Sequence, residues 1–166
     1  MDQDPHALPL YDQDFFGWAT RQADLLRRGR FAEADLANIV EEIETLGRSE
    51  KRELESAYRL ICLHLLKLMF QPSHTTRSWL NTIVRERNTA ERVLDDSPSL
   101  KPRRGALLRA AYRQARKEAA AETGLPLSIF PDAPPFTLDQ VAADDFLPPL
   151  AGRTAPPAIG GDPTEA

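Results

Sequence analysis

The sequence predicts an all-α protein, a helical bundle of four to five main helices with an irregular, proline-rich C-terminal wrap. Alanine, leucine, arginine and glutamate are abundant, whereas the strand formers valine and threonine are sparse. Large apolar residues recur at spacings of three and four, and proline or glycine ends these runs. We expect one domain over residues 1–148 and a flexible tail over residues 149–166.

The first two predicted helices lie in the acidic N-terminal part of the chain. Asp12 can cap the first helix, whose apolar residues recur up to Gly29. The second helix runs from about residue 35 to residue 46, and its apolar stripe consists of Leu36, Ile39, Val40, Ile43 and Leu46. Either Gly47 ends this helix and Ser49 caps the next, or an unbroken helix crosses Gly47 at a cost of about 1 kcal/mol.

The third predicted helix, over about residues 50–70, is apolar on nearly all sides, which is typical of a central, buried helix. Pro72 stops it, because proline lacks the amide proton that a helix interior needs. The fourth helix runs over about residues 78–95, and the fifth over about residues 102–123 with Gly124 as its C-terminal cap.

The segment over residues 125–148 is interrupted by prolines and is predicted to be mostly irregular. Thr137 and Gln140 form a capping-box pattern, which predicts a short helix at residues 137–141. Three phenylalanines are expected to pin this segment onto the helices: Phe130, Phe136 and Phe146.

Several short strings carry a resemblance to a known family. They are LYDQDF (10–15), DLANIVEEIETLGRSE (35–50), HLLK (64–67), QP (71–72), RSW (77–79), DSPSL (96–100) and ETGLP (122–126). Together they resemble the bacterial domain-of-unknown-function family numbered twenty-nine, over about residues 10–148. The sequence has Leu-Met-Phe at 68–70, where that family more often has Trp or Tyr. The resemblance implies an all-helical bacterial protein and brings no catalytic residues.

The number of cysteines and the hydropathy of the sequence indicate the cellular compartment of the protein. Cys62 is the only cysteine, so an intramolecular disulfide is impossible. The start, residues 1–5, is acidic and lacks the basic residues and apolar run of a signal peptide. The longest apolar stretch, residues 60–70, contains His64 and Lys67, whereas a membrane span needs about 20 apolar residues. We therefore expect a cytoplasmic protein with no membrane partner.

Charge is strongly segregated along the chain, although the formal net charge is only −4. Residues 1–55 hold 13 acids and 7 bases, residues 56–117 hold 4 acids and 13 bases, and residues 118–166 hold 8 acids and 1 base. Either the basic middle packs beside the acidic ends and neutralises them, or it presents a basic face to an anionic partner.

Four polar residues form a candidate cluster on the second and third predicted helices: Glu42, Glu44, His64 and Lys67. His64 and Lys67 are three positions apart beside the main apolar stripe, so they are neighbours on the helix. An uncompensated buried charge is costly, so we expect Lys67 to pair with a carboxylate, with Glu42 or Glu44 favoured. The alternatives are a structural network and a ligand, metal or general-base site.

Two sets of residues are candidates for binding anions. Arg77 and Ser78 open the fourth helix, where the helix N-terminus attracts negative charge. Four basic residues share one face of the fifth helix: Arg109, Arg113, Arg116 and Lys117. This face can contact phosphates or can be a solvated, ion-paired surface. The sequence pI of about 5.4 argues against nucleic acid, as does the absence of aromatic residues among the arginines.

The leading functional hypothesis is a non-catalytic interaction or structural module, with a protein partner or self-association. The first alternative is nucleic-acid or polyanion binding through the basic face of the fifth helix. The second is an enzyme or metal protein that uses His64, Lys67 and a glutamate of the second helix. No cofactor or metal is predicted, because the spacing does not match the Glu-x-x-His pattern of di-metal bundles.

Overall fold

The computed structural model describes residues 10–149, which are largely helical. Its α-helices are α1 (Leu10–Gln13), α2 (Phe15–Arg27), α3 (Leu36–Phe70), α4 (Arg77–Asp96), α5 (Arg104–Thr123) and α6 (Leu138–Ala142). The 3-10 helices are Phe31–Glu33, Pro72–His74, Pro98–Arg103 and Leu127–Ile129. Over this described range there is no strand, and the predicted all-α class is confirmed. Nearly all of the predicted tail, residues 150–166, lies outside the described residues.

Helix α3 is one unbroken helix of 35 residues, so the second and third predicted helices are a single element that crosses Gly47. Gly47 is helical here, and positive φ angles among the described glycines occur only at Gly29 and Gly124. The penalty for glycine in a helix, about 1 kcal/mol, is too small to end a helix that favourable neighbours continue. The chain divides into two compact units between Ser49 and Glu50, within this helix.

The first unit, called unit 1 here, contains α1, α2 and the start of α3 up to Ser49. Asp14 rather than Asp12 caps α2, because its Oδ1 accepts a hydrogen bond from the Gly17 amide at 2.8 Å. The same carboxylate approaches Gly17 so closely that a Cβ there would lie 2.3 Å from Asp14 Oδ2. Trp18 is buried against the rings of Tyr11 and Phe15, at centroid distances of 4.8 and 5.5 Å.

The second unit, called unit 2 here, contains the rest of α3 together with α4, α5, α6 and the loops between them. Its core is built on the last half of α3, as the apolar pattern predicts. The side chains with no exposed surface are Leu54, Ala57, Ile61, Cys62, Leu65, Leu66, Val93, Tyr112, Ala115, Ala119 and Val141. Burial of the thiol raises the pKa of Cys62 to about 12, so this cysteine is a small core residue.

The ends of α4 and α5 follow from capping chemistry. Thr76 caps α4, because α4 begins at Arg77 and the Thr76 hydroxyl accepts from the Trp79 amide at 3.4 Å. Helix α5 ends as predicted at Gly124, which has a φ of 72° that favours glycine.

The irregular C-terminal segment packs onto the helices through the aromatic residues that the sequence indicates. Phe130 and Phe136 are buried, and Phe146 packs edge-on against Phe136. The Tyr112 hydroxyl donates to the Pro131 carbonyl at 2.7 Å. The predicted capping box of Thr137 is present at the start of α6.

Arg87 of α4 fastens the end of this segment. Its side chain is buried, with 4% of the residue exposed, and its guanidinium donates to four backbone carbonyls. These carbonyls belong to Gln140, Val141, Asp144 and Phe146, at distances of 2.9–3.4 Å. Burial lowers the pKa of Arg87, and the nearby Asp144 and Asp145 act in the opposite direction. One buried cation therefore replaces the regular backbone partners that an irregular segment lacks.

Replacement of Arg87 by methionine should lower the free energy of unfolding by at least about 3 kcal/mol, because several carbonyls lose their donor. Arg77→Met is the matched control, since Arg77 is exposed on the same helix. That variant should change stability by no more than about 0.5 kcal/mol. Urea titration of both variants measures the difference. Equal losses would show that Arg87 does not hold the segment.

Candidate functional site

Lys67 is a buried cation in unit 2. Only 7% of the residue is exposed, and its Nζ donates to Glu122 Oε2 of α5 at 2.6 Å. The same Nζ lies 4.3 Å from the ring centroid of Trp79 on α4, which is a cation–π contact. Lys67 therefore joins α3 to both neighbouring helices through its charge.

His64 lies one helical turn before Lys67. Its Nδ1 is buried and has no hydrogen-bond partner among the described residues, and its ring centroid is 6.3 Å from that of Trp79. Burial lowers the pKa of His64, and so does the charge of Lys67. The charged groups that act on this ring are Lys67, Arg85, Glu86 and Glu122. A neutral imidazole is the form favoured at neutral pH.

The structure does not bring Glu42 and Glu44 to this cluster. Glu42 accepts from the Tyr11 hydroxyl, which raises the pKa of Tyr11 to about 12. Glu44 accepts from Arg48 at 3.2 Å. The expected pairing of Lys67 with a carboxylate is present, but the favoured partners were wrong. Their choice assumed two helices packed side by side, whereas these glutamates belong to the same helix as Lys67.

The contacts of this cluster connect three helices of unit 2. The described residues contain no group of three or more His, Cys, Asp and Glu side chains that could hold a metal ion. The carboxylate of Glu122 neutralises Lys67, and the Trp79 ring covers it. The cluster of His64, Lys67, Trp79 and Glu122 thus acts as a polar network inside the packing of unit 2.

The basic face of α5 divides into two sets. Arg109, Arg113 and Lys117 are exposed, whereas Arg116 is half-buried. Arg116 donates to the carbonyls of Phe130 at 2.9 Å and Leu127 at 3.2 Å, and pairs with Asp132 at 2.8 Å. It therefore holds the C-terminal segment and is not free to contact phosphates.

Two surface concavities of about 430 Å³ each lie along α5. One contains Arg113 and Lys117, and the other lies between α5 and α3, where Arg52 and Arg59 join Arg113. The two α3 arginines were not among the predicted site residues, although their spacing of seven places them on one helix face. Arg59 is already paired with Glu118, at 2.5 Å.

Arg77 and Ser78 are both exposed at the first turn of α4. Thr76 already satisfies the amide of Trp79, which is one of the free donors at this helix start. The two residues stay a candidate for binding anions, with no further group of the described chain converging on them.

Unit 1 exposes four apolar side chains in a row on α3, called the α3 stripe here: Leu36, Val40, Ile43 and Leu46. Their exposed fractions are 49, 54, 63 and 68%. Phe15, Phe16 and Phe31 of the same unit are also more than half exposed. The sequence pattern identified the stripe, and the structure leaves these four side chains exposed. Ile39, at the edge of the stripe, is half-buried, so the packing of unit 1 covers that edge.

Comparison with known proteins gives a family and no characterised relative. The family model described as "Domain of unknown function DUF29" matches residues 10–147. No curated protein and no solved structure shows significant similarity to the chain. Within residues 10–149, none of the helices has the length and apolar character needed to cross a membrane.

The lowered pKa of His64 predicts a pH dependence of stability. The unfolded chain, with a histidine pKa of about 6.5, takes up the proton more readily than the folded protein does. Stability is therefore fully present above about pH 6.5 and falls as the pH decreases below it. His64→Gln should lose less stability than the parent protein between about pH 7 and pH 5 in urea titrations.

His74→Gln is the matched control for this measurement, because His74 is exposed in the 3-10 helix after Gln71. It should keep the pH dependence of the parent protein. If His64→Gln and His74→Gln change the pH dependence equally, the burial of His64 is not its source.

Proposed function

We propose that this chain, which belongs to the family described as domain of unknown function DUF29, is a non-catalytic interaction module that associates with a second copy of itself through the α3 stripe. The observation that carries the proposal is the concentration of exposed apolar side chains in unit 1. Of the large apolar side chains that are exposed among the described residues, eight lie in residues 10–49 and four in residues 50–149.

The exposed apolar area of unit 1 approaches the area that a dimer interface buries on each partner. The α3 stripe and the three exposed phenylalanines together present on the order of 600 Å² of apolar surface, from typical areas of whole side chains. This value is at the upper end of the largest apolar patch on a typical monomer, about 300–600 Å². It approaches the roughly 800 Å² that each partner buries in a standard interface.

The geometry of the stripe favours a partner helix of the same kind. Leu36, Val40, Ile43 and Gly47 follow each other at spacings of four, three and four, which is the seam of a two-helix coiled coil. Gly47 carries no side chain, and apart from its chain neighbours and the backbone of its own helix no described atom lies within 4 Å of the position that a Cβ would take there, so a second helix can approach closely. A two-fold axis brings such a seam against its own copy.

Charges beside the stripe are compatible with the same arrangement. Glu44 and Arg48 lie on one side of it, both exposed, and pair with each other at 3.2 Å. In an antiparallel pair of identical helices, the same flank of each helix faces its copy, so Glu44 of one copy can exchange its partner for Arg48 of the other. A neutral flank of this kind does not repel a second copy.

We also propose that the module works in a bacterial cytoplasm. Its single cysteine, Cys62, is buried and unpaired. Free buried thiols suit a compartment that keeps cysteines reduced.

Ile43→Glu should abolish self-association, because it places a charge in the centre of the apolar contact. Thr45→Glu is the matched control, since Thr45 is exposed on the opposite side of the same helix. Light scattering after size exclusion, over a range of concentrations, should show a dimer for the parent protein and Thr45→Glu and a monomer for Ile43→Glu. A parent protein that stays monomeric at high concentration refutes the proposal.

A second candidate function is polyanion binding by the groove between α3 and α5 of unit 2. The observation that favours it is the convergence of Arg52 and Arg113 on one concavity, beside the exposed Arg109 and Lys117. These four side chains make no ion pair with other described residues, so their charge is free to attract phosphates or sulfates.

The double variant Arg109→Glu/Arg113→Glu should weaken binding to heparin. The slope of log K against the logarithm of the salt concentration should become shallower by about one for each lost contact with an anionic group. Arg21→Glu/Arg27→Glu makes the same charge change on exposed residues of α2 and should have little effect. Heparin-column elution and titration at several salt concentrations provide the measurement. Equal effects of the two double variants would indicate only a response to net charge.

A further inference from the structure

Unit 2 contains a cavity of about 270 Å³ that neither the interaction surface nor the polar network uses. It lies between α3, α4, the start of α5 and the chain after α6, and its floor includes the apolar side chains of Ile61, Ala90 and Leu94. Its volume is somewhat below that of sites for drug-sized ligands, which start at about 300 Å³. The cavity therefore suits a molecule of roughly the size of one amino acid.

Tyr58 lines this cavity and is almost completely buried, with 1% of the residue exposed. Its hydroxyl makes no hydrogen bond to the described residues, and its oxygen is accessible from the cavity. Tyr112, the other tyrosine of the core, donates its hydroxyl to the Pro131 carbonyl at 2.7 Å. An accessible phenol hydroxyl at the wall of a cavity is a hydrogen-bond donor that a bound ligand can use.

Arg104 supplies a second unused donor on the same wall. Its Nε donates to the Lys101 carbonyl at 3.1 Å, and its two terminal nitrogens make no hydrogen bond to the described residues. Its charge lies close enough to the Tyr58 oxygen to oppose the rise in the pKa of Tyr58 that burial causes. The phenol and the guanidinium together form a donor set that fits a carboxylate.

The other walls carry three carboxylates and the ammonium group of Lys101. Glu91 and Asp95 come from α4, and Asp144 comes from the chain after α6. Asp95 has only a distant ion pair, 3.8 Å from Lys101. Arg87 also lines the cavity, but four backbone carbonyls already occupy its donors. The cavity therefore combines a wall of free donors with a wall of carboxylates around an apolar floor.

We propose that this cavity binds a small zwitterion, a free α-amino acid. Its carboxylate lies on Arg104 and the Tyr58 hydroxyl, its ammonium group lies among Glu91, Asp95 and Asp144, and its side chain lies on the apolar floor. A simple anion such as phosphate would meet three carboxylates as well as the cations of Arg104 and Lys101, and a simple amine would leave the two donors of the basic wall unsatisfied.

The experiment measures binding of L-leucine, L-glutamate and L-lysine to the full chain by ligand-observed NMR and calorimetry. Two analogues of leucine separate the charged groups: 4-methylpentanoate lacks the ammonium group, and 3-methylbutylamine lacks the carboxylate. At least one amino acid should bind, and each analogue should bind at least about tenfold more weakly than leucine. No binding by any of the three amino acids, or equal binding by either analogue, overturns the proposal.

Variants locate the site. Arg104→Gln and Tyr58→Phe should each weaken amino-acid binding by about tenfold or more, because each removes a hydrogen bond to a charged group. Arg103→Gln is the matched control, since Arg103 is exposed, adjacent in sequence and outside the cavity lining. It should leave binding unchanged. Equal loss in Arg103→Gln and Arg104→Gln places binding elsewhere and overturns the assignment.

The thermal midpoint of each variant without ligand shows whether a loss of binding comes from a loss of stability. Tyr58→Phe removes a hydroxyl without a partner among the described residues, so its thermal midpoint without ligand should match that of the parent protein. Tyr112→Phe leaves the Pro131 carbonyl without its donor and should lower the midpoint. If Tyr58→Phe lowers the midpoint as much as Tyr112→Phe does, the Tyr58 hydroxyl serves the fold and not a ligand.

Discussion

The guanidinium of Arg87 imposes the constraint on which the second half of the molecule depends. The chain after α6 has no regular hydrogen-bond ladder, so its carbonyls need partners from elsewhere in the fold. Arginine is the one side chain with enough donors, in a fixed planar arrangement, to serve four carbonyls at once. The position of Asp144, and with it the acidic wall of the cavity in unit 2, follows from this single side chain.

The pairing of charged side chains inside the fold also explains much of the charge segregation along the sequence. Basic residues of the middle region meet acidic residues of the C-terminal region in three ion pairs of unit 2: Arg59–Glu118, Lys67–Glu122 and Arg116–Asp132. Lys67 and Arg116 also contact a ring or backbone carbonyls, so their charges contribute to packing. What stays unpaired on the basic face of α5 is the smaller set of Arg109, Arg113 and Lys117, which is the part available to a partner.

Local signals in the sequence determined the elements that could be predicted. Proline after α3, glycine after α5 and the capping box at Thr137 each act within a few residues, so the sequence alone reveals them. The continuity of α3 could not be predicted, because the free-energy cost of a glycine in a helix is about as large as the favourable helix propensities of its neighbours. Periodicity showed that the α3 stripe is apolar on one side, but periodicity does not show what covers that side.

The candidate site was harder to predict than the fold for a related reason. Lys67 required a carboxylate, but Glu122 lies 55 positions away, and only the packing of α3 on α5 brings the two together. Tyr58 fits the apolar stripe of its helix, and nothing in its sequence neighbours reveals that its hydroxyl lacks a partner. Such residues can be identified only in the structure, where the hydrogen-bond partners of each polar atom in the core are known.

The continuity of α3 also gives one helix two different degrees of protection from solvent. Its buried side chains begin at Leu54, and the turns before that position carry none. Amide protons of residues 36–49 can therefore exchange by local fraying, whereas those of residues 54–68 exchange only when the core of unit 2 opens. Glycine has a low helix propensity, so the helix can open from its first residue as far as Gly47 at a small cost in free energy. The proposed second copy, bound to the stripe, should slow amide exchange in the first half of α3 alone, so exchange rates along this one helix would report assembly.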